Sequence, residues 1–382
     1  MSTVRDDTSP ARRDPAGDPL AGGPFADDAP DAAARARRAI EHCYAQGWTD
    51  GLPVVPCDEE LLGEFLATTD RPADEVILGM AHLNRACTVR LAAINAAMAG
   101  CEPAYFPVVL AALDSLVAEG YVTRAIWQST TGTAPCLLVN GPVRARIGLN
   151  SRGNVFGSGF RANATIGRAI RLVGINAFGI RPHELDQATQ GTPAKYTCAI
   201  AENEEDSPWP PFHVEHGFAP TDSTVTAFTS RSVLHVEARH TTEPEQLLRD
   251  LADSVARTGA LIHATTSACL VLSPEHAQLL GRAGWSRTDI REFVHEEAVN
   301  SRSDLRRVGK SSVSRETRWR LPDDHPDAVA DDAGDLIGAL AVPESLQIVV
   351  AGAPNAGVSA IIETFGPRGP TPAVTRVEAT AG

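Results

Sequence analysis

The side chains that could do chemistry are concentrated between Gly153 and Gly217. Two sequences in this segment, GNVFGSGFRANATIGRAIRL and QGTPAKYTCAIAENEEDSPWPPFHVEHG, combine glycines with arginines, asparagines, carboxylates, a lysine, a tryptophan and histidines. Folding alone rarely requires so many hydrogen-bonding side chains between glycines that let the backbone turn. We therefore expect this segment to form a functional site or the rim of one.

The first half of the segment has the composition of an anion-binding loop. Gly157 and Gly159 permit a tight turn before a predicted helix, and the free N–H groups at a helix start attract anions. Arg161, Asn163 and Arg168 lie on or near the first turns of that helix. The spacing matches neither a GxGxxG fingerprint nor a P-loop. We predict that these five residues bind a substrate carboxylate or phosphate; the alternative is a capped helix whose arginines are solvated.

The second half of the segment carries carboxylates and imidazoles. Glu202 and Glu204 follow a predicted strand and would share one face if that strand continued, so either could transfer protons. His213 and His216 follow the proline-rich bend and, together with the carboxylates, could ligate a divalent metal. The spacing matches no HExxH or facial-triad pattern. The alternative is an acidic surface loop that Trp209 anchors against the body of the protein.

A reactive thiol is the third candidate. Cys101 lies between Gly100 and a predicted helix start at Pro103, where the positive end of the helix dipole would favour the thiolate. We assign it a nucleophilic or redox role; the alternative is a small buried residue that packs a helix corner. Lys195 is one of only two lysines in the chain, and we assign it and Trp209 to substrate binding.

Two further features are weaker. His276, within SPEHA, is typical of a helix residue near a cap. The VVAGAPNAGVS turn, which follows the last apolar run, resembles an anion-binding strand–loop but has no P-loop lysine. Neither feature alone predicts a catalytic role.

Composition excludes several classes of function. The 382 residues carry a formal net charge of −14 and no basic stripe, which disfavours nucleic-acid binding. No stretch approaches the roughly 20 apolar residues of a membrane span, and no apolar run follows the first basic residues as in a signal peptide. Seven cysteines without CxxC spacing argue against a disulfide framework or a structural zinc site. We expect a soluble, cytoplasmic protein with no nucleic-acid or membrane partner.

The elements that must position these residues follow from apolar patterns and their breaks. Two helices, over 87–99 and 103–120, form a predicted hairpin, because a glycine ends the first and a proline opens the second. Continuous apolar runs predict buried strands at CLLV, SACLVLS and LQIVVAG. A helix over 161–178 and a strand over 195–201 would carry most of the candidate residues.

We predict an α/β fold of mixed α+β type in three parts. Residues 1–30, rich in Asp, Pro, Gly and Ala, form a disordered leader. Residues 31–220 form an N-terminal domain with the helical hairpin, a mixed sheet and the site. Residues 221–382 form a smaller C-terminal α/β domain, because predicted strands alternate with predicted helices there.

Several motifs together carry a resemblance to a known group of proteins. They are WTDGLPVVP at 48–56, AINAAMAGCEP at 93–103, NGPV at 140–143, GSGFRANATIGRA at 157–169, AENEEDSPW at 201–209 and SPEHA at 273–277. Across about residues 35 to 375 the chain resembles an uncharacterised bacterial family associated with UGSC-type (seleno)proteins. The resemblance implies thiol or selenol redox chemistry, as one subunit of a complex, and points to Cys101. The chain contains no UGSC motif itself, which weakens that implication.

Three hypotheses about function follow. The favoured one is an enzyme acting on a small anionic metabolite, with Cys101 as nucleophile or redox thiol and Arg161 holding the substrate charge. It requires Cys101, Arg161 and Glu202 to line one cavity. The second is a non-catalytic accessory subunit that binds a partner protein or a second copy of itself. The third is a metal-dependent hydrolase or lyase using Glu202, Glu204, His213 and His216. The cofactor stays open, with none and a divalent metal as the candidates.

Overall fold

The computed structural model describes residues 29–119, 126–257, 259, 267–310, 336–365 and 372–378. Contacts between residues divide the chain into two compact units, residues 1–56 and residues 57–382. The predicted leader, residues 1–30, lies outside the described residues except for its last two, which begin the first helix.

The first unit contains helix α1 (Ala29–Ala45). The sequence predicts this helix between residues 32 and 46, closed by Gly47, and Gly47 has a φ of +68°. Trp48 packs its ring edge against the ring of His42, with centroids 5.6 Å apart. The Asp50 carboxylate accepts the backbone N–H of Leu52 at 3.2 Å and so stabilises the turn that follows.

Helices of the second unit begin at capping signals that the sequence carries. The side chains of Asp58, Thr88, Ser273 and Ser286 each accept a backbone N–H from the first turn of a helix. The helices described in this unit are α2 (Glu59–Leu66), α3 (Val89–Ala99), α4 (Phe106–Ala118), α5 (Val143–Arg146), α6 (Arg161–Asn176), α7 (Phe212–Glu215), α8 (Pro244–Ala256), α9 (Pro274–Arg282), α10 (Arg287–Glu297) and α11 (Arg302–Arg307).

Strands of the second unit form one large sheet and two small antiparallel pairs. Their bounds are β1 (Val76–Met80), β2 (Arg85–Thr88), β3 (Ala134–Asn140), β4 (Ala199–Ala201), β5 (Thr224–Glu237), β6 (Ala268–Leu272), β7 (Val299–Ser301), β8 (Leu336–Gly338), β9 (Leu346–Val350), β10 (Val358–Thr364) and β11 (Val374–Arg376). β1 pairs with β2, and β7 pairs with β8.

A mixed sheet with seven described strands lies at the centre of this unit. Its order is β4-β3-β5-β10-β6-β9, and β11 pairs with β5 off this path. β3 and β4 are parallel, as are β6 and β9, whereas the other pairs are antiparallel. The sheet curls into a half-barrel, and the N–H of Asn203, just after β4, donates to the carbonyl of Val350 at 2.7 Å. The predicted mixed α/β class is confirmed.

This sheet crosses the boundary predicted near residue 220. β3 and β4 precede that residue, whereas the other strands of the sheet follow it. The contact pattern divides the chain between Pro56 and Cys57 rather than near residue 220. The predicted parts 31–220 and 221–382 therefore share one sheet, because strand pairing joins segments that are distant in sequence.

Alternation along the strands separates two hydrophobic clusters. In β10, Ile361 faces a cluster shared with α8, α9 and α10, whereas its neighbours Ala360 and Ile362 face the opposite side. We call this opposite cluster the inner cluster. It contains Cys136, Leu138, Val155, Cys198, Ile200, Phe212, Phe228, Cys269, Val271, Val349, Ala351, Ala360 and Ile362.

The predicted helical hairpin is present as α3 and α4. Gly100 ends α3 with a φ of +92°, and a 3-10 turn over Pro103–Tyr105 leads into α4. Helix α6 packs against α3, and the Asn176 amide donates to Asn95 at 2.7 Å.

Two of the differences from the sequence prediction concern the large sheet. Only Ala199–Ala201 is a strand within 195–201, because Thr192 caps a 3-10 turn over Pro193–Lys195. The sequence pattern did not predict β10, which lies between β5 and β6 in the sheet.

Candidate functional site

The arginines of the predicted anion-binding loop bind the end of a neighbouring helix. Arg161 donates from Nε to the Gly100 carbonyl at 2.9 Å and pairs with Glu102 at 2.8 Å. Arg168 donates to the Ala99 carbonyl at 3.4 Å. Because the last carbonyls of a helix have no partner within it and carry negative partial charge, they attract these cations. These contacts hold Arg161 and Arg168 at the corner between α3 and α4, and the prediction that both arginines bind a substrate anion stays a prediction.

Asn163 is likewise a structural residue. It is buried, its carbonyl oxygen accepts the Asn150 N–H at 2.8 Å, and its amide donates to the carbonyls of Asn150 and Ala199. These bonds fix α6 against β4. Of the two glycines in the loop, Gly157 lines a cleft described below, whereas Gly159 has a φ of +124° and does not line that cleft.

Cys101 lies beside these arginines but is shielded from solvent. Burial raises the pKa of its thiol to about 12, although a hydrogen bond with Thr165 and the charges of Arg161 and Arg168 oppose that effect. A thiol with such a pKa stays protonated at neutral pH and is a poor nucleophile. The structure therefore favours the alternative, a small cysteine that packs the helix corner.

Glu202 is fully buried and already has partners. Its carboxylate pairs with Arg287 at 2.7 Å and accepts the Phe212 N–H at 2.7 Å and the Asn140 amide at 2.5 Å. Burial raises the pKa of Glu202, while the charge of Arg287 opposes the rise. Neither Cys101 nor Arg161 is among these partners, so the described contacts do not join the three residues of the favoured hypothesis.

Glu204 belongs to the same network of charges. It accepts the Gly141 N–H at 2.7 Å and pairs with Arg144 at 2.8 Å. Arg144 also pairs with Glu205 at 3.0 Å and donates to the carbonyl of Glu202 at 2.6 Å. Arginines thus hold the carboxylates of Glu202 and Glu204 in the interior, whereas the Glu205 side chain is exposed.

The predicted metal ligands do not converge. His213 Nδ1 lies 3.9 Å from Glu204, and His216 Nδ1 contacts the carbonyl of Phe212 at 2.8 Å. Burial lowers the pKa of both histidines. Within the described part of the chain, no three His, Cys, Asp or Glu side chains are grouped as metal ligands. Arg144 and Arg287 hold the carboxylates that the metal hypothesis requires, so the described contacts do not support that hypothesis, and it stays a prediction.

Lys195 and Trp209 also have structural partners. Lys195 pairs with Asp186 at 2.6 Å. The indole N–H of Trp209 donates to the carbonyl of Trp285 at 2.9 Å, and the guanidinium of Arg287 lies 5.7 Å from the indole ring centre. Trp209 therefore anchors the acidic segment to α10, as the alternative interpretation held.

A cleft of about 470 Å³ opens on the inner cluster, and we call it the loop cleft. Two glycine-containing loops flank it, residues 153–157 and residues 351–357. Its apolar lining includes Val155, Val271 and Ala360, all members of the inner cluster. Ligand sites of about 300–1,000 Å³ are commonly lined by apolar side chains with a few polar groups, and barrel mouths are one preferred place.

Both loops hold non-glycine residues in the left-handed region. Asn154 has a φ of +61° and Ala356 a φ of +69°. Such conformations cost about 1–3 kcal/mol each and are concentrated at ligand-binding sites. The strain is therefore consistent with loops shaped for a ligand.

Of the described residues that line the loop cleft, His235 alone has an ionisable side chain. It pairs across the sheet with Ala360, so both side chains lie on the inner face. His235 is exposed, and within the described part of the chain it makes no hydrogen bond or ion pair through its ring. His235 is not among the residues predicted from the sequence, although alternation in SVLHVE places it on the same face as Val233.

A second cleft, of about 620 Å³, lies along α9, and we call it the α9 cleft. Its charged lining residues include Glu205, Asp206, Arg239, Glu275 and Arg282, and His276 also borders it. The SPEHA motif and the turn after β9, for which the sequence alone predicts no catalytic role, both line the α9 cleft. The turn contributes Pro354 and Gly357.

Within this region His276 and Ser359 form a buried hydrogen bond. His276 Nδ1 lies 2.7 Å from Ser359 Oγ, which also accepts the Ser273 N–H at 3.0 Å. Burial lowers the pKa of His276, so the neutral ring accepts the serine hydroxyl. Because Ser359 alternates with Ala360, its hydroxyl points toward α9 and away from the loop cleft. The pair fixes α9 to β10 and is not placed as a nucleophile and base.

Comparisons with known proteins do not assign this site: no family model matches the chain, and neither do curated proteins or solved structures. The resemblance to the UGSC-associated family therefore stays a prediction. Across the described residues, no helix is both long and apolar enough to cross a membrane.

Proposed function

We propose that this protein is an enzyme that acts on a small anionic metabolite bound in the loop cleft, with His235 as the proton-transferring group. The observation that carries the proposal is the position of His235, whose side chain alone is ionisable among the described residues lining a metabolite-sized cleft. Histidine is the side chain whose charge changes between about pH 5 and 8, and it is the commonest general acid or base.

The lining suggests how a substrate would bind. Val155, Val271 and Ala360 offer an apolar surface to the carbon skeleton, while the amides of Asn154 and Asn355 offer hydrogen bonds at the loops. A protonated His235 would attract the substrate's negative charge, and the neutral ring would accept a proton from it. The reaction class we infer is acid–base catalysis at the substrate, without a covalent intermediate on Cys101.

All seven cysteines are free, as expected for a cytoplasmic protein. We include a cytoplasmic location in the proposal on this ground.

The test uses His235→Gln with His240→Gln as a matched control, because both histidines are exposed and follow one another closely in the chain. A panel of small carboxylates and phosphates is screened with the wild-type protein by ligand-observed NMR, and turnover of the hits is followed in the same tubes. We expect His235→Gln to lower turnover about 100-fold or more, since general acid–base groups contribute about 10²–10⁴. His240→Gln should behave as wild type.

Full turnover in His235→Gln would remove His235 from the chemistry. If a small anion binds but the NMR signals of the backbone amides lining the loop cleft do not change, the loop cleft is not the binding site.

A further inference from the structure

Two thiols that the proposed function does not use lie side by side in the inner cluster. Cys136 is in β3 and Cys198 directly precedes β4, and their sulfur atoms are 2.8 Å apart. The parallel register pairs Leu137 with Ala199, so the two cysteines are opposite one another. Neighbouring strands are about 4.7–4.9 Å apart, which lies within the Cα separation of about 4.4–6.8 Å that a disulfide requires.

We propose that Cys136 and Cys198 are a reversible dithiol–disulfide pair that a peroxide closes and a small thiol reopens. Both residues are buried, but Cys198 is 8% exposed and Cys136 is fully enclosed. A peroxide is small enough to reach such a site, so Cys198 is the residue that it oxidises first. Cys136 is then the resolving thiol.

The reaction balances in two steps. The thiolate sulfur of Cys198 attacks the peroxide, so an S–O bond forms, the O–O bond breaks and the released hydroxide takes a proton to become water. The Cys136 sulfur then attacks the resulting sulfenic acid, so an S–S bond forms, the S–O bond breaks and a second water leaves. Two thiols are oxidised by two electrons, and one peroxide is reduced to two waters.

The surroundings of the two cysteines determine how fast the disulfide forms and which parts of the structure it joins. The hydrogen bond to Cys198 and burial raise the pKa of Cys136, which keeps this thiol protonated until the sulfenic acid forms. We therefore expect closure over minutes to hours rather than seconds. The new bond would join β3 to β4 just before Asn140 and Glu202, whose side chains are themselves hydrogen-bonded.

The test treats the full-length native protein with hydrogen peroxide, blocks the remaining thiols by alkylation and maps the peptides by mass spectrometry. We expect one cross-linked peptide that contains Cys136 and Cys198, the loss of two of the seven thiols, and recovery of both thiols with dithiothreitol. Cys269→Ser is the matched control, because this third thiol of the inner cluster should leave the cross-link unchanged.

Mapping of the wild-type protein decides the outcome even if a Cys198→Ser variant fails to fold. A cross-link through Cys269, a cross-link between two chains, or oxidation of the half-buried Cys57 with both Cys136 and Cys198 still reduced would each overturn the proposal. An expected cross-link that survives dithiothreitol under native conditions would overturn its reversibility.

Discussion

Among single residues, Glu202 shows how strongly one buried charge depends on its partner. Its carboxylate lies in the interior with Arg287, which also pairs with Glu215 at 3.1 Å and donates to the carbonyl of Pro210. A lone buried charge is far more costly than a paired one, because water no longer solvates it. Arg287 therefore connects α10 to the acidic segment and neutralises Glu202.

We expect Arg287→Ala to lower the free energy of unfolding by about 3–5 kcal/mol, because it leaves Glu202 buried without its cation. Arg90→Ala is the control: Arg90 pairs with Glu59 at 2.6 Å, but both side chains are largely exposed, and such pairs contribute about 1 kcal/mol or less. Chemical denaturation of both variants measures the difference. Equal losses would show that the buried pair is not a major determinant of stability.

Single residues also show where sequence reasoning was limited. The residue types of Arg161, Asn163 and Lys195 predicted side chains that form hydrogen bonds or ion pairs, but sequence does not reveal which partners lie within reach. Arg161 meets the carbonyls at the end of α3, and Lys195 meets Asp186. His235 went unnoticed because an isolated histidine in a strand carries no spacing signal, and only the pairing of β5 with β10 places it in a cleft.

At the scale of elements, the turn after β3 positions the acidic segment. Gly141 has a φ of +82°, and its N–H donates to Glu204. A side-chain carbon at this position would lie only 1.9 Å from the carbonyl oxygen of Asp222, so the backbone before β5 passes directly over the glycine. Both its conformation and its lack of a side chain are therefore required.

Comparison of Gly141→Ala with Gly148→Ala separates these two requirements. Gly148 has a φ of +65° and open space around the added carbon, so alanine there should cost about 1–2 kcal/mol from conformation alone. Gly141→Ala should cost about 1–3 kcal/mol more, because Asp222 must move. Thermal or chemical unfolding measures both costs. Equal costs would mean that the chain before β5 relaxes freely.

Helices and strands were the features of this protein that the sequence predicted best. Glycine stops, serine caps and continuous apolar runs gave α3, α9, α10 and the strands β3, β6 and β9, because these signals act locally. The sequence did not predict β10, because this strand directly follows the turn at residues 351–357 and its apolar run, AII, has only three residues. The register that brings it between β5 and β6 depends on segments far away in the chain.

The whole molecule should be sensitive to mild acid. Burial lowers the pKa of His213, His216 and His276 below the ordinary value of 6.5. The unfolded chain therefore binds protons at these sites before the folded chain does. Their contribution to stability is complete above pH 6.5 and is lost as the pH falls toward the folded values.

We expect the free energy of unfolding to fall as the pH drops from about 6.5 to 5, by up to about 1.4 kcal/mol per pH unit for each histidine. Denaturant titrations across this range measure it. His276→Gln should reduce the slope, because one of the three groups is then absent. A free energy of unfolding that stays constant down to pH 5 would contradict the lowered pKa values of these histidines.

The position of the site could not have been predicted at this scale. The loop cleft joins residues 153–157 to residues 351–357, and its floor includes β6 and β10. The sequence analysis found the first loop and noted the second, but it placed them in different domains. Only the order of strands in the sheet shows that they face each other.

The hydrogen bond between Asn203 and Val350 has a further consequence, for association between molecules. The outer strands of an open sheet expose backbone groups that can pair with another chain and start aggregation. Here β4 has only three residues, and the carbonyl at the end of β9 is already bonded to the segment that follows β4. The curl of the sheet therefore leaves less edge free for a neighbouring molecule to extend.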